Sequence, residues 1–447
     1  MTIYRFLSRA LVGLIVLTAL LATVAATGAT PSNDQPQARA RALQKRIVAF
    51  DSHLDVPFDY GSPGLEAGTD GTTQFDLPKV ERGLLKGAAL AIFVPQGPRT
   101  PEGIEQARKD ALAKYEIITG IAAKYPQRAA IAYSPEDVRK IAAQGKFAVV
   151  LSILNGYPLG QDVSGIDEWY RKGVRVFGFV HAGNNDLADS SRPNLLQGDT
   201  LDEHGGLSDA GKRLVKRLNE LGILIDVSQL SSNALRDVLS LTKAPVAATH
   251  SNVRAIVDHP RNLSDEELLA LKNNGGVIQI SAYSSWVRPL PAEVQERANA
   301  VRREFGVPTE TPIASAAPRS PKGVQVLSKE KFEEYSKRIH AVLLDPSVKA
   351  TLAQFVDNID YAVKKIGVDH VGISSDFNHG GGVVGWDNEG ESVNVTAELL
   401  RRGYSDQDIA KLWGGNFLRV WSEAQKAATR KSATSNRPQP APAGRAL

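Results

Sequence analysis

The chain has 447 residues, 42% hydrophobic and 23% charged, a globular balance that excludes a disordered or fibrous protein. The 53 Lys and Arg against 49 Asp and Glu leave a net charge of +4 with no dense basic block, which argues against nucleic acid as a partner. Cysteine is absent, so a disulfide framework, a thiolate metal site and a cysteine nucleophile are all excluded.

The first segment reads as an export signal over residues 1–26. Arg5 and Arg9 give the positive start, LVGLIVLTALL the apolar run, and Val24 and Ala26 the small residues before a cleavage point. The alternative is an uncleaved membrane anchor, the one way this chain would meet a membrane. No adjacent arginines point to the twin-arginine route, and no cysteine follows the run to take a lipid anchor. A cysteine-free exported chain suggests a bacterial periplasm. A polar linker is expected over 27–44, a single barrel-sized domain over 45–423, and a disordered Ala/Ser/Pro-rich tail over 424–447.

Eight strand candidates follow, at 47–52, 88–94, 147–154, 174–180, 223–227, 245–249, 275–280 and 370–374. Each is short, and several carry no polar residue, as expected of strands buried on both faces. Helical patterns lie between them, among them 101–124, 207–221 and 230–241, with Ser208 placed as a cap. Alternation of this kind predicts a parallel sheet with right-handed crossovers. Eight units, and no glycine-rich dinucleotide fingerprint after the first strand, favour a closed (β/α)8 TIM-type barrel over an open sheet. The stretch 281–367 reads as a helical insertion between strands seven and eight, with a Pro/Ala/Ser-rich connection, PTETPIASAAPRSPKG.

Reacting groups in such barrels sit at the C-terminal ends of strands. His53 and Asp55 end the first strand, His181 the fourth, His250 the sixth and Asp376 the eighth. One such histidine is ordinarily a structural residue; three histidines and two aspartates converging on one face suit zinc or another divalent ion. Arg261 carries a guanidinium that matches a free carboxylate with two parallel hydrogen bonds, or else simply caps the loop before the helix at Ser264.

These positions bear a resemblance. DSHLDVPFDY, HAGNNDLADSS, GLSDAGKRLVKRLNELGILIDVS, ATHSNVRAIVDHPRNLSDEEL and DHVGISSDFN, in this order from about residue 47 to 421, are similar to the membrane (renal) dipeptidase family of zinc-dependent barrels. The resemblance implies that His53 and Asp55 hold a first metal and His250 a second. It implies that His181 contacts the scissile carbonyl, Arg261 and Tyr157 line the substrate, and Asp376 moves the proton. Two positions depart from the family. Leu154 stands where a bridging glutamate is expected, unless the register slips to Asn155, and Gln229 stands where a second-metal histidine is expected. The expectation is at most one bound ion, at His53 and Asp55.

Two readings remain. One is an exported metal-dependent hydrolase of a dipeptide or small peptide-like amide. The other is a non-hydrolytic or altered periplasmic factor that binds a peptide-like ligand, as dipeptidase-like proteins of siderophore (pyoverdine) maturation do. A small peptide-like ligand is the expected partner in both, and a homodimer is left open.

Overall fold

The computed structural model describes residues 34–307, 309, 326–343 and 345–435. The expected export signal, the last part of the tail and nearly all of the Pro/Ala/Ser-rich connection lie outside the described residues. Nine parallel strands form one sheet: β1 (Phe50–Leu54), β2 (Gly87–Phe93), β3 (Ala129–Ile131), β4 (Phe147–Leu154), β5 (Val174–Gly178), β6 (Leu224–Asp226), β7 (Ala247–Ser251), β8 (Val277–Ser281) and β9 (Val371–Ser374). Their order is β1-β2-β4-β5-β6-β7-β8-β9, with β3 added outside β4. The ring closes between first and last strands, where the Asp55 amide donates to Phe377 O at 3.1 Å and the Asp376 amide to His53 O at 3.2 Å. This is the (β/α)8 barrel that the alternation predicts.

Every residue of β1, β4, β7, β8 and β9 is buried; β4 accordingly reads as the nearly unbroken apolar run FAVVLSIL, whereas β1 and β7 carry buried polar residues such as Asp51, His53 and Thr249. The helices start where capping residues allow. Thr100 accepts from the Gly103 amide before Pro101–Lys124, and Ser208 from the Gly211 amide before Asp209–Leu221. Ser264 with Glu267 and Thr351 with Gln354 form capping boxes ahead of Asp265–Asn273 and Leu352–Ile366. The insertion between β8 and β9 contributes Ala292–Glu304 and Lys329–Leu343, which share a small apolar core of Val294, Ala298, Val301, Ile339 and Val342. Among the described residues no helix is long and apolar enough to cross a membrane.

Both ends of the barrel domain extend beyond the expected 45–423. The stretch expected as a polar linker over 27–44 contains most of a helix, Asp34–Arg46, with Ala40, Leu43 and Gln44 buried. Gln44 donates to Gly83 O at 2.8 Å and accepts from the Thr396 hydroxyl. Its apolar stripe is only one residue wide, too narrow to stand out from QARARALQKR. Likewise the expected tail begins inside the helix Asn416–Ser435, where Ala424 is buried beside Trp421 and Phe417, and Phe417 stacks on Phe50 at 5.2 Å. Leu43→Ala tests the first correction. It should cost about 2–3 kcal/mol, the ordinary loss for a buried leucine, in urea unfolding of the full chain. A change near zero would restore the linker.

Candidate active site

Four non-glycine residues with left-handed backbone lie just past strand ends: Asn155 (φ 74°), Gln229 (φ 72°), Asp376 (φ 58°) and Asn378 (φ 58°). Such conformations cost energy in ordinary residues and gather where side chains must be aimed. After β9 the chain turns under itself so tightly that a Cβ on Gly381 would lie 2.1 Å from Ser375 O, so glycine is required there. That turn places His379 over the barrel mouth beside Asp376.

The strand-end residues do converge. The His53 and His250 rings stack at 3.7 Å and 10°, both rings buried. His53 Nε2 faces Asp376 Oδ1 across 4.0 Å, and neither that oxygen nor either His53 ring nitrogen has a hydrogen-bond partner. The other Asp376 oxygen accepts from the Ser281 hydroxyl at 3.3 Å. Burial raises the Asp376 pKa and lowers that of His53 to about 3.

Asp55 is held by Lys114 and His379. Its Oδ1 lies 3.1 Å from Lys114 Nζ and its Oδ2 accepts from His379 Nδ1 at 3.0 Å. Burial alone would raise its pKa, but His379 and Lys114 outweigh that and hold the carboxyl below its ordinary value. Burial likewise pulls His379 down, and the bond to Asp55 outweighs it, so His379 titrates above an ordinary histidine. His379 Nε2 lies 3.1 Å from His181 Nε2, while burial pushes His181 well below the usual range. The two shifts run in opposite directions: the bond to Asp55 favours a proton on His379, and burial disfavours one on His181.

On the opposite side, Arg192 donates to Gln229 Oε1 at 2.6 Å. Gln229 Nε2 lies 3.1 Å from His250 Nε2, and His250 Nδ1 lies 2.8 Å from the Thr249 hydroxyl. Thr249 in turn donates to Asp226 at 2.7 Å, which fixes the imidazole tautomer. Arg261 is 1% exposed and donates to Ser251 Oγ at 2.9 Å and to the His250 carbonyl. Arg192 and Arg261 both lie over the Trp286 ring, at 5.3 and 4.8 Å, and neither makes an ion pair with a described carboxylate. Burial and the neighbouring Arg192 hold Arg261 below the ordinary arginine value.

Three expectations change. Asn155 does not take the bridging position: its amide donates to Val94 O and its oxygen accepts from the Tyr157 amide and Asn185. Leu154, 1% exposed and without a donor atom, ends β4 in its place. Tyr157 is not turned to the ligand, because its hydroxyl donates to Pro98 O at 2.6 Å in the loop beyond β2. The His53–Asp55 pair is not free for an ion, since both Asp55 oxygens are already engaged.

Lys114, His379 and Arg192 escaped the sequence reading. Lys114 had a signal: on Pro101–Lys124 it sits in the buried stripe of Ala107, Ala111, Ile118 and Ile121, where a lysine requires a partner. His379, three residues past Asp376, was legible only as proximity.

The residues present do not fit the dinuclear centre that the resemblance implies. Leu154 offers nothing, Gln229 is spent on Arg192 and His250, and His250 Nε2 is turned to that amide. What stays unpartnered is His53 and one oxygen of Asp376, short of the three protein ligands of a catalytic zinc. Among the described residues no three His, Asp or Glu side chains group as a metal site.

The pH response of His53 follows from its burial. Its folded pKa lies below the unfolded 6.5, so the unfolded chain binds the proton first as pH falls. The stability advantage of the native chain over His53→Gln should be full above pH 6.5. It should then shrink by about 1.4 kcal/mol per pH unit between about 6.5 and 3. Urea unfolding of both proteins at pH 7.5, 6 and 5 measures it, and a constant difference would contradict neutral burial.

An eight-stranded barrel with histidines, aspartates and arginines gathered at its strand C-terminal ends has the architecture of a barrel enzyme acting on a small polar substrate. The profile of the membrane dipeptidase family (Peptidase family M19) matches residues 37–435, and the chain belongs to that family. The dipeptidase tcpJ of Claviceps purpurea is 27% identical over 77% of this chain and 69% of its own length. Dipeptidase aclJ of Aspergillus oryzae is 26% identical over 79% and 71%. Among solved structures, the "probable dipeptidase PvdM" of Pseudomonas aeruginosa is 49% identical, with TM-score 0.83, covering 89% of this chain and all of that one. A metallopeptidase of Rhodobacter sphaeroides, solved with a phosphinate mimic of L-Ala-D-Ala, shares the fold at 22% identity and TM-score 0.63, over 85% of this chain and 99% of that one.

Proposed function

We propose that this protein is an exported, periplasmic member of the dipeptidase family that takes a dipeptide or small peptide-like amide into the barrel mouth and cleaves it. The observation that carries the reading is that Arg261 and Arg192, guanidiniums without an ion-paired carboxylate among the described residues, lie near enough to Asp376 to act on its charge, while one Asp376 oxygen is unpartnered. A free carboxylate on the ligand would complete the arginines as forked hydrogen-bond donors. The amide would then lie toward His53 and Asp376, where the Asp376 carboxylate accepts a proton from water and returns it to the leaving nitrogen.

Binding without cleavage, as in maturation of a peptide siderophore such as pyoverdine, is the second reading. Leu154 and the engaged Asp55 favour it, because both remove groups a dipeptidase centre would use. The 49% identity with a probable dipeptidase supports a peptide-like ligand under either reading.

Mass spectrometry of products from a dipeptide panel and from a peptide siderophore precursor, with and without zinc, tests both readings. Free amino acids support the first. A precursor retained uncleaved, with micromolar affinity, supports the second, and neither binding nor turnover would sink both. Export is checked by sequencing the N-terminus from the periplasmic fraction, where an intact Met1 would contradict cleavage near residue 26.

A further inference from the structure

We propose that this pocket runs without a metal ion, its positive charge being carried by Lys114 at Asp55 and Arg192 at Gln229, with His379 bridging to His181, and that Arg192 shares the ligand's carboxylate with Arg261, the arginine to which the family resemblance already assigns it. The inference rests on the reading that the ligand is peptide-like, and it specifies how that ligand is held.

The argument is one of charge and of committed donors. Lys114 is 2% exposed in its side chain, on a helix that begins beyond β2, yet its ammonium reaches Asp55 Oδ1 at 3.1 Å and also bonds the Val56 carbonyl. A buried lysine is costly unless paired, and here the pairing consumes the oxygen an ion would need. The second Asp55 oxygen is consumed by His379. Across the mouth, Arg192 holds Gln229, and Gln229 caps the His250 nitrogen that faces the pocket.

Three cationic side chains, Lys114, Arg192 and Arg261, with His379 hydrogen-bonded to Asp55, therefore surround one engaged carboxylate and the half-engaged Asp376. Adding a divalent cation to this set raises like-charge repulsion at short range in a partly dry pocket. Adding an anion lowers it. Both arginines lie over one aromatic ring, Trp286, which itself stacks on Tyr283 at 3.9 Å, so packing limits their movement before a ligand arrives. Arg192 Nε and Arg261 Nε are buried with no partner, which marks the unfilled side of the pair.

The test uses the full exported chain. Elemental analysis after purification from zinc-supplemented cells should give below about 0.1 metal per chain, and the thermal midpoint should be unmoved by EDTA or by zinc. Lys114→Met removes the resident cation and leaves Asp55 Oδ1 with the Val56 amide as its one remaining described partner. That variant should have a lower midpoint than the native chain and should recover part of the loss when zinc is added. If it does not fold, His379→Gln, which opens the other oxygen, takes its place.

Calorimetry with alanyl-alanine in EDTA should show binding, with alanyl-alanine amide weaker by about tenfold or more because the carboxylate is gone. Stoichiometric zinc on the native chain with a midpoint that falls on chelation overturns the proposal. So does dipeptide binding that appears only with zinc, or an amide bound as well as the acid. No dipeptide binding with or without zinc defeats the peptide-ligand reading and the carboxylate dock with it, while the metal content and midpoint still decide the metal-free centre.

Discussion

Replacing Lys114 by methionine should destabilise the folded chain by about 3 kcal/mol at neutral pH, the low end of what is lost when one member of a buried ion pair is removed. Methionine keeps nearly the same length and volume, so the change isolates the charge from the packing. Two things are lost together: the ammonium at Asp55 Oδ1, and its bond to the Val56 carbonyl. His379 and the Val56 amide stay on Asp55 and keep the penalty from rising further. Urea unfolding measures the difference. A loss under about 1 kcal/mol would mean that the pair behaves as a solvated surface bridge and that Asp55 is not dry.

Arg261→Met should reduce affinity for a carboxylate-bearing dipeptide by about a hundredfold or more, the scale for truncating one partner of a buried charge-assisted contact. The guanidinium also supports the wall of the pocket, through Ser251 Oγ and the His250 carbonyl, so some stability goes with it. Binding is therefore measured well below the unfolding midpoint of the variant. Arg261→Lys separates charge from shape: a point charge cannot offer the two parallel donors, so it should recover little of the affinity. Equal binding by all three proteins would remove Arg261 from the ligand site.

How much of this was visible beforehand depended on whether the information was local. The barrel was legible because strands buried on both faces leave unmistakable apolar runs; β4, FAVVLSIL, was placed to the residue. Strand β1 begins three residues later than the apolar pattern, because the Ile47 amide still belongs to the preceding helix through Leu43 O. The three-residue β3 carries too little pattern to be seen. At the site, strand-end histidines and aspartates could be picked out, since a barrel tells in advance which end of a strand matters. Their partners could not. Lys114 meets Asp55, and Arg192 meets Gln229, through tertiary packing that no spacing encodes. A glutamate absent at Leu154 is legible; what the chain has put in the vacated centre is not.

The closure of the barrel also sets an order in time. Asp55 and His379 are 324 residues apart in sequence and face each other across the seam between β1 and β9. During synthesis, Asp55 can gain Lys114 as soon as the helix Pro101–Lys124 docks, long before His379 exists. The pocket itself is finished last, when β9 zips onto both β8 and β1, a contact of very long sequence separation and slow to form. A chain cut short before Val371 would present two bare strand edges, those of β1 and β8, each a template for pairing with another unfinished copy. Assembly of the ligand site and loss of that aggregation hazard are then a single event.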